Sequence, residues 1–499
     1  MAHPPEIAGG NACLDALVIA VNAAIDRGGL WYTSTHELQI VCFDLCLACR
    51  SPWKVPTMRV VVTAETPRHL WLHGAHDVYG KTALAELRVP RLPVRAVTVS
   101  DWPERVLPCP PETGRPLGCG RRLLRFGSLS FGLGPLWWPE TLQEVSFGNG
   151  FNRPIFGLVW PANLQKLSFG ERFNRPVARV VWPAKLQQLS FGHAFNNPIS
   201  ITVWPASLQR LLFGNRFNQP IHGVVWPASL KQLSFGWRFN QPIRRVVWPA
   251  SLQQLSFGHD FNKCIIGVVW PTSLQKLFFG SAFDQRLVGV VWPASLQQIS
   301  FGTSFNQYIA GIGVVWPSTL QRMSFAWHFN RPIFAVVWPA SLQQLSFGHF
   351  FNKSVVGVVW PASLQKLFFG SAFNQPVVGV VWPASLQQLS FGDEFNQPLR
   401  NVVWPAFLQQ LSFGDKFDQP IAGVVWPVYL ETLSFGFHFN QPLVGVEWPA
   451  SLEQLSFGRC FKQPMVDLPW RPTDVALPTS LRSLTVGGQN MLPLVQNYL

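Results

Sequence analysis

Residues 247–258 read VWPASLQQLSFG, and nearly the same letters return at residues 291–302 and 381–392. Fifteen Trp-Pro pairs run from Trp138 to Trp448, and the intervals between them are 22 residues, except one of 24. The exception contains QYIAGIGVVWP, where Gly311-Ile312 has the character of an inserted bulge. A short fixed period of this kind indicates a solenoid, in which each copy forms one coil and neighbouring coils stack.

The repeating unit reads WPASLQQLSFGxxFNQPIxGVV, and its letters favour strands over helices. Pro and Gly confine the Leu-x-x-Leu segment to about eight residues, which is too short for a stable helix. Two short strands per coil are predicted instead, at Val-Val-Trp and at Leu-Ser-Phe, with turns at Pro, Gly and Asn-Gln-Pro. We therefore predict a mainly β protein, a parallel β-solenoid of about 16 coils that forms a rod on the order of 75 Å long.

Comparison of the copies within this one chain separates a predicted core from a predicted surface. The Leu after Trp-Pro-x-x, the Phe before Gly and the Phe four residues later occur in all fifteen copies. Unchanging apolar positions are predicted to stack in the core. The two residues after Gly and the pair before Val-Val vary, so they are predicted to face solvent or a partner. The tryptophans are predicted to be buried, with each indole N–H bonded at a coil edge.

The domain organisation follows from where the repeats end. A weaker copy, LPTSLRSLTVGG at 477–488, closes the array, and degenerate copies at 123–132 and 97–106 are candidates for opening it. We predict an N-terminal region at 1–120, small and either α-helical or mixed, a repeat solenoid at 121–488 and a C-terminal tail at 489–499.

Composition excludes several classes of protein. Hydrophobic residues make up 48% and charged residues 13% of the 499 residues, which disfavours disorder. Eight cysteines in this length do not suggest a disulfide scaffold. No secretory signal pattern opens the chain, and the apolar stretch 14–25 contains Asp15 and Asn22 and is too short to span a bilayer. A cytoplasmic or nuclear protein without membrane association is predicted.

The net charge of +14 is concentrated in the first half of the array. Residues 147–292 hold 15 Lys/Arg and three Asp/Glu, whereas residues 293–460 hold seven of each. Arginines at varied positions would line up on consecutive coils as a surface for an acidic partner or phosphates, against the alternative of solvated charge that keeps the rod soluble. The candidate partner-binding residues are Arg172, Arg175, Arg179, Arg216, Arg238, Arg244 and Arg245.

The stretch SFGxxFNQPI resembles the FNIP repeat family, together with the 22-residue period and the LPTSL letters of the last copy. The resemblance implies a solenoid similar to leucine-rich repeats and a role in protein–protein interaction. Some members of the family carry an N-terminal F-box that docks onto a ubiquitin-ligase scaffold. Residues 1–60 hold two helical patterns but lack the Leu-Pro opening typical of F-boxes, so both a degenerate F-box and a simple helical cap remain open.

Two clusters could suggest metal chemistry, and both have a plainer interpretation. Cys42, Cys46 and Cys49 are spaced to share one helix face, where buried cysteines commonly pack. His69, His73 and His76 with Asp77 surround Gly74, which weakens the helix that would align them. We predict no metal and no cofactor. No catalytic constellation appears, and a non-enzymatic protein is predicted.

A polar column accompanies the apolar ones. Twelve of the fifteen copies carry Asn directly after the second Phe, with Asp284, Asp418 and Lys462 in the other three. A polar residue between unchanging apolar ones is predicted to bond the backbone of adjacent coils.

The sequence thus predicts a repeat scaffold that binds protein partners, acidic ones among them, through its varied loop columns. A substrate-recognition adaptor of an F-box-type ubiquitin ligase, bound to that ligase's adaptor subunit, is one alternative. A polyanion or nucleic-acid binder is another, although the basic half shows few exposed aromatic residues, which disfavours nucleic acid.

Overall fold

A computed structural model describes residues 58–62, 94–99, 142–311, 313–464 and 477–495 of the chain. The structure divides into two units, residues 1–217 and 218–499. The predicted cap at 1–120 and the opening copy at 123–132 lie largely or wholly outside the described residues.

Each copy of the repeat forms one coil, which the residues 360–381 illustrate. A turn at Pro361–Leu364 is closed by the Leu364 N–H bonded to the Pro361 carbonyl at 3.1 Å, and a three-residue strand follows. A second turn, with the Phe373 N–H on the Gly370 carbonyl at 3.0 Å, comes after the strand. A third turn, with the Val380 N–H on the Val377 carbonyl at 3.2 Å, precedes the next Trp-Pro pair. The proline and glycine positions therefore set the corners of the coil.

Parallel strands in one ladder make up the sheet of the first unit. They are β1 (Met58–Val62), β2 (Val94–Val99), β3 (Glu144–Phe147), β4 (Lys166–Ser168), β5 (Gln188–Ser190) and β6 (Arg210–Leu212). Equivalent positions pair from coil to coil, so that Leu167 lies beside Leu189. The strand β2 overlaps the degenerate copy at 97–106, and its Val97 pairs with Val145.

The second unit has the same kind of arrangement. Its strands are β7 (Gln232–Ser234), β8 (Gln254–Ser256), β9 (Lys276–Phe278), β10 (Gln298–Ser300), β11 (Arg322–Ser324), β12 (Gln344–Ser346), β13 (Lys366–Phe368), β14 (Gln388–Ser390), β15 (Gln410–Ser412), β16 (Thr432–Ser434), β17 (Gln454–Phe457), β18 (Ser483–Val486) and β19 (Gln489–Asn490). All neighbours from β7 to β18 pair in parallel, and β19 pairs antiparallel with β18. A helical turn α1 (Leu492–Val495) follows. The parallel β-solenoid predicted from the period is confirmed.

The two-residue insertion is absorbed in a turn, as its sequence indicates. Gly311 and Gly313 take φ angles of 104° and 96°, in the left-handed region that glycine adopts without penalty. The following strand keeps its register, since Ile299 still pairs with Met323. The weak copy at 477–488 is also a coil, because its Leu484 pairs with Leu455 of the preceding strand.

The core consists of columns of identical side chains. In the coil at 360–381, Leu364, Leu367, Phe369, Phe373 and Val377 are buried, and the equivalent positions are buried in the neighbouring coils. The two phenylalanines of a coil stack at 4.1 Å between ring centroids, and Phe373 stacks on Phe395 of the next coil at 6.1 Å. Identical letters every 22 residues thus give each apolar side chain a partner of its own kind above and below.

One prediction about the coil is wrong. Only the Gln-Leu-Ser segment forms a ladder strand, whereas Val-Val-Trp is extended but is not a strand in any coil that the structure describes. The residues on either side of this segment explain the difference. A turn ends at the first valine, and the tryptophan is followed by proline, which has no N–H to donate to a neighbouring coil.

Candidate binding surfaces

The two residues between Gly and the second Phe of each coil form the loop columns, and they project from a rigid base. The N–H of the second residue donates to the carbonyl of the first residue in the preceding coil, as in Ala372 to His349 at 2.7 Å and Glu394 to Ser371 at 2.7 Å. The backbone of this turn is therefore laddered from coil to coil, although its side chains are free to vary. A varied side chain on a fixed backbone is the usual construction of a recognition surface.

Two exposed aromatic platforms stand in the loop columns of the second unit. Trp237, 54% exposed, stacks on His259 with ring centroids 4.2 Å apart and planes inclined by 10°. Trp327, 50% exposed, stacks on His349 at 4.3 Å and 20°. The 22-residue pattern does not mark these residues as a site, because they lie at positions that vary from copy to copy.

The surroundings of the two platforms differ in polarity. At the first, His259 Nδ1 lies 2.7 Å from Asp260 Oδ1, and Arg238 follows the tryptophan. At the second, Phe350 replaces the aspartate and meets the Trp327 ring edge-on at 6.2 Å. The platforms therefore share a flat aromatic surface but present different charge.

The sequence contains a pattern that indicates these platforms. Trp237 and Trp327 are 90 residues apart, and so are His259 and His349. The same spacing joins Lys276 to Lys366 and Phe278 to Phe368 on the open face of the sheet, one coil beyond each histidine. A second, longer period of four coils is therefore superimposed on the 22-residue period.

The open face of the sheet is otherwise polar. Serines at the end of the strands bond each other across coils, as Ser168 Oγ to Ser146 Oγ at 2.7 Å and Ser412 Oγ to Ser390 Oγ at 2.8 Å. Phe278 and Phe368 in the second unit, and Leu212 in the first, stand at these serine positions and are thus local apolar features on a hydroxyl-lined surface.

The candidate arginines are exposed, but they occupy different positions of the coil. In the first unit, Arg172 and Arg216 share a loop column two coils apart, with Ala194 between them. Arg175 lies beyond the buried Phe173 and donates from Nε to the Asn152 carbonyl at 2.9 Å.

The remaining arginines stand on two kinds of turn. Arg179 in the first unit, and Arg244 and Arg245 in the second, lie on the turn before Val-Val, whereas Arg238 lies in a loop column. Ile243 is buried between Arg238 and Arg244. Within each unit, the arginines are therefore distributed over more than one column.

The asparagine ladder predicted from the sequence is confirmed. Asn374 Oδ1 accepts the Asn396 N–H at 3.0 Å, and also the Gln397 Nε2 of the next coil at 2.9 Å. Asp284 and Asp418 preserve the ladder, since their carboxylates accept the N–H of Asn306 at 2.8 Å and Asn440 at 2.9 Å. The column is therefore a structural feature.

The prediction for the tryptophan N–H is wrong. The fourteen tryptophans of the described Trp-Pro pairs have buried Nε1 atoms without a hydrogen-bond partner. The rings instead stack on each other, with Trp360 6.3 Å from Trp382, and Trp382 meets the edge of Phe369 at 6.4 Å. Ring packing thus replaces the hydrogen bond that was expected at the coil edge.

The rule that unchanging apolar positions lie in the core fails at the second valine. This second residue of the Val-Val pair is 73–83% exposed in the coils from Val181 to Val425, while the residue before it, valine or Thr202, is buried. The segment is extended, so that its side chains alternate between the two sides. We call the surface formed by the second valines and the adjacent turn residues the valine face.

A pocket of about 340 Å³ lies where three successive coils lack the usual proline. The substitutes are Cys264, Arg286 and Tyr308, and Arg331 lies over the Tyr308 ring at 4.7 Å from its centroid. The residues lining the pocket are Cys264, Ile266, Asp284, Gln285, Arg286 and Gln307.

The cysteine cluster Cys42, Cys46 and Cys49 and the histidines His69, His73 and His76 with Asp77 lie outside the described residues. Within the described ranges, no group of His, Cys, Asp and Glu is arranged to hold a metal ion. None of the helices that the structure describes has the length and apolar character needed to cross a membrane.

The fold defines a repeat protein of the leucine-rich-repeat type. The FNIP repeat model matches residues 217–260, 239–282, 373–416 and 395–438, so FNIP repeats are present in these parts of the chain. The crystal structure of CroV588, described as a novel circular LRR protein, is similar, with 40% identity and a TM-score of 0.62. That similarity covers 71% of this chain and 54% of CroV588, so this chain spans about half the length of its relative.

A leucine-rich repeat protein from Bacteroides ovatus shares 14% identity over 64% of this chain and 79% of its own, with a TM-score of 0.18. Comparison with curated protein sequences gives no match.

Proposed function

We propose that this chain is a non-enzymatic scaffold that binds a protein partner through its loop columns and the open face of the second unit's sheet. The observation that carries the proposal is the pair of exposed Trp–His platforms, Trp237 on His259 and Trp327 on His349. Tryptophan is the residue type most enriched among the energetically dominant residues of protein interfaces. Both platforms stand on laddered backbone, which lowers the ordering cost of binding.

The repetition of the platforms supports a partner that contacts both. The two lie four coils apart in one unit, roughly 19 Å at the spacing of neighbouring parallel strands. A standard protein interface of about 800 Å² per partner extends over such a distance. A partner that contacts both platforms would gain binding free energy from each of them. This chain would lose little conformational entropy on binding, because both platforms stand on a fixed backbone.

The experiment is capture of partners on the full-length chain, followed by affinity measurement with each captured protein. Trp237→Ala and Trp327→Ala are each expected to weaken binding by about 2 kcal/mol or more. Tyr429→Ala is the matched control, because Tyr429 is also an exposed aromatic residue, stacked on Phe407 at 5.5 Å, but stands on a different turn. Binding unchanged by both tryptophan substitutions would contradict the proposal.

A polyanion-binding role is the second candidate, and the exposed pair Arg172 and Arg216 in one loop column supports it. Binding of heparin or RNA would then fall steeply with salt, with the slope reduced by about one for each arginine that is replaced by alanine. The adaptor role in ubiquitination depends on residues 1–60, outside the described residues, and it stays a prediction. Binding of the full chain to the ligase's adaptor subunit tests it.

A further inference from the structure

The coil after the first tryptophan platform has an unusual strand. Strand β9 carries Lys276 and Phe278, whereas the neighbouring strands β8 and β10 carry glutamine and serine at these two positions. Both side chains point to the open face, because Leu277 between them is buried and side chains alternate along a strand. The open face here therefore presents a cation and a half-buried apolar ring two residues apart, roughly 6.6 Å along the strand.

This strand and the platform belong to one surface. Strand β8 of the His259 coil pairs with β9, and the Ala282 N–H donates to the His259 carbonyl at 2.7 Å. The two coils are thus bonded to each other at the strand and again at the loop. The loop residues of the later coil, Ser281 and Ala282, are small, and His259 keeps 39% of its side chain exposed although Trp237 stacks on its ring. The platform is therefore open toward the coil that carries the lysine and the phenylalanine.

The same arrangement occurs again 90 residues later in the same unit. Strand β12 of the His349 coil pairs with β13, and the Ala372 N–H donates to the His349 carbonyl at 2.7 Å. We call each arrangement a module. The first module consists of Trp237, His259, Lys276, Phe278 and Ser281, and the second consists of Trp327, His349, Lys366, Phe368 and Ser371. The two modules therefore offer the same chemistry, an aromatic platform beside an apolar ring and a cation.

The open face around the modules carries positive charge without acidic side chains. The structure describes strands β7 to β15 in full, and none of them contains aspartate or glutamate. Their charged residues are Lys276, Arg322 and Lys366. Neither lysine forms an ion pair with a residue that the structure describes. Both lysines are thus placed to attract an acidic group of a bound molecule.

We propose that each module binds one copy of the same short peptide segment, in which an acidic residue lies two positions from an apolar one. The carboxylate pairs with the lysine of the module, the apolar side chain packs on the phenylalanine, and a neighbouring side chain contacts the platform. In an extended segment, alternate side chains lie on one side about 6.6–6.8 Å apart, which is the separation of the lysine and the phenylalanine. This inference rests on the proposed function and adds the chemistry of the partner and the number of its sites. A partner with two such segments gains from binding at both modules at once.

A peptide is favoured over a nucleic acid by charge density and by the glutamines. The cations Lys276, Arg322 and Lys366 stand on every second coil, roughly 9.6 Å apart. A nucleic-acid strand carries a phosphate about every 3.4 Å along a helix, so most of its phosphates would face no cation. Gln298 and Gln344 stand between these cations, and their amides donate and accept hydrogen bonds, as a peptide backbone does, whereas a phosphate only accepts.

The test begins with selection of peptides from a random dodecapeptide library on the full-length chain. The selected peptides are expected to carry aspartate or glutamate two positions from an apolar residue. A synthetic copy of one of them is expected to bind at two sites per chain, measured by titration calorimetry. A selection that yields no binding peptide, or only peptides without an acidic residue, would overturn the proposal.

Two double variants remove one module each. Lys276→Gln with Phe278→Ser gives β9 the letters of β8 and β10, and Lys366→Gln with Phe368→Ser gives β13 those of β12 and β14, so that the coils keep a strand already present in the ladder. Each double variant is expected to weaken one site at least about tenfold and to reduce the measured number of sites from two to one. All four substitutions together are expected to leave none. Two sites of unchanged affinity in either double variant would overturn the proposal.

The matched control is Arg210→Gln with Leu212→Ser in the first unit. Strand β6 also presents a cation and an apolar side chain, but Glu171 stands where the modules have tryptophan. This variant makes the same change of net charge and is expected to keep both sites. Three sites in the wild-type chain, with one lost in this control, would overturn the module, because the strand alone would then suffice for binding.

A last arm uses uridine RNA as competitor. It is expected to leave the selected peptide bound, and displacement at a lower concentration than the unlabelled peptide requires would assign the modules to nucleic acid and overturn the proposal. Failure of the proposed function looks different. A captured partner that needs Trp237 and Trp327 but ignores the four strand substitutions would overturn this inference alone. A peptide that occupies two sites through the strand residues, while the captured partner ignores both tryptophans, would overturn the proposed function alone.

Discussion

At the scale of single residues, the asparagine column shows how one oxygen per coil links neighbouring coils. Asn374 Oδ1 accepts a backbone N–H and a glutamine amide from the next coil, and Asn374, Asn396 and Gln397 are all half-buried. The backbone N–H of Asn396 depends on this acceptor. The two aspartates that replace asparagine keep the same oxygen, which indicates that the acceptor, and not the amide nitrogen, is what the position requires.

We expect Asn374→Ala to lower the free energy of unfolding by about 0.5–1.5 kcal/mol, because the half-buried Asn396 N–H loses its acceptor and gains only partial access to water. Asn374→Asp is the matched control and is expected to cost less than about 0.5 kcal/mol, because Asp284 and Asp418 accept the same bond in their coils. Denaturant unfolding measures both. Equal losses in the two variants would show that the amide nitrogen is the important group.

The buried tryptophans lead to a second residue-scale prediction. Trp360 is packed between tryptophans of neighbouring coils, yet its N–H has no partner among the described residues. Trp360→Phe removes that unsatisfied donor together with part of the ring, so the two effects oppose each other. A loss below about 1.5 kcal/mol is expected for Phe, against about 3–5 kcal/mol for Trp360→Ala. Thermal unfolding of the two variants checks the difference, and similar losses would mean that the indole N–H does form a bond.

At the scale of the coil, the unit of stability is 22 residues and not the strand. Removing one whole coil brings equivalent columns together, since Val359 would join Trp382 and the Asn352 oxygen would meet the Asn396 N–H. Removing half a coil would instead place a strand against a turn. The stability of a repeat array is approximately a sum over coils and the contacts between neighbours.

Deletion of residues 360–381 is therefore expected to leave a folded chain with the same circular dichroism per residue and a melting temperature lowered by a few degrees. Deletion of residues 360–370 is the control and is expected to disrupt cooperative unfolding. Similar behaviour of the two deletions would contradict a coil-by-coil architecture.

The coil also shows what could be inferred from sequence and what could not. The core leucines and phenylalanines, the turns and the asparagine ladder follow from letters that stay constant every 22 residues, because stacking makes constant positions into columns. The exposed second valine has the same constancy as the buried first valine, and only the alternation of an extended segment separates them. A residue that stays the same from copy to copy indicates that its position stacks in a column. It does not indicate whether the side chain faces the core or the solvent.

The sequence predicts that the candidate site lies on varied surface positions of the repeat, but it does not predict which coils carry the site. The loop columns were identified as varied positions, and the structure shows them on the surface. The choice of arginines followed net charge, which has long range and does not say which side chains meet. The tryptophan platforms depend on contacts between adjacent coils, and only the 90-residue period in the sequence hints at them.

At the scale of the whole molecule, a stack of parallel coils must protect its last strand. The edge of β17 is covered by β18, and β18 is covered in turn by the short antiparallel β19. Leu484 and Leu492 are buried at this end, so the last coil and α1 cover apolar surface as well as the strand edge. A strand with unpaired N–H and carbonyl groups is a template for another chain, and short antiparallel closing strands are a common protection.

A chain ending at Pro464 would lack β18, β19 and α1, and would leave the β17 edge and the buried Leu455 and Phe457 without their neighbours. We expect it to associate beyond the state of the full chain as concentration rises, measured by light scattering at equal concentrations. A chain ending at Asn490 is the matched control, because it keeps both closing strands and loses residues 491–499, which include the helical turn and the Met491 N–H bonded to the Leu484 carbonyl. Since Gln489 and Asn490 still pair with β18, its association is expected to stay close to that of the full chain. A Pro464 chain that scatters no more than the Asn490 chain would show that the exposed end of the ladder is tolerated, and that the closing strands serve another purpose than protection of the edge.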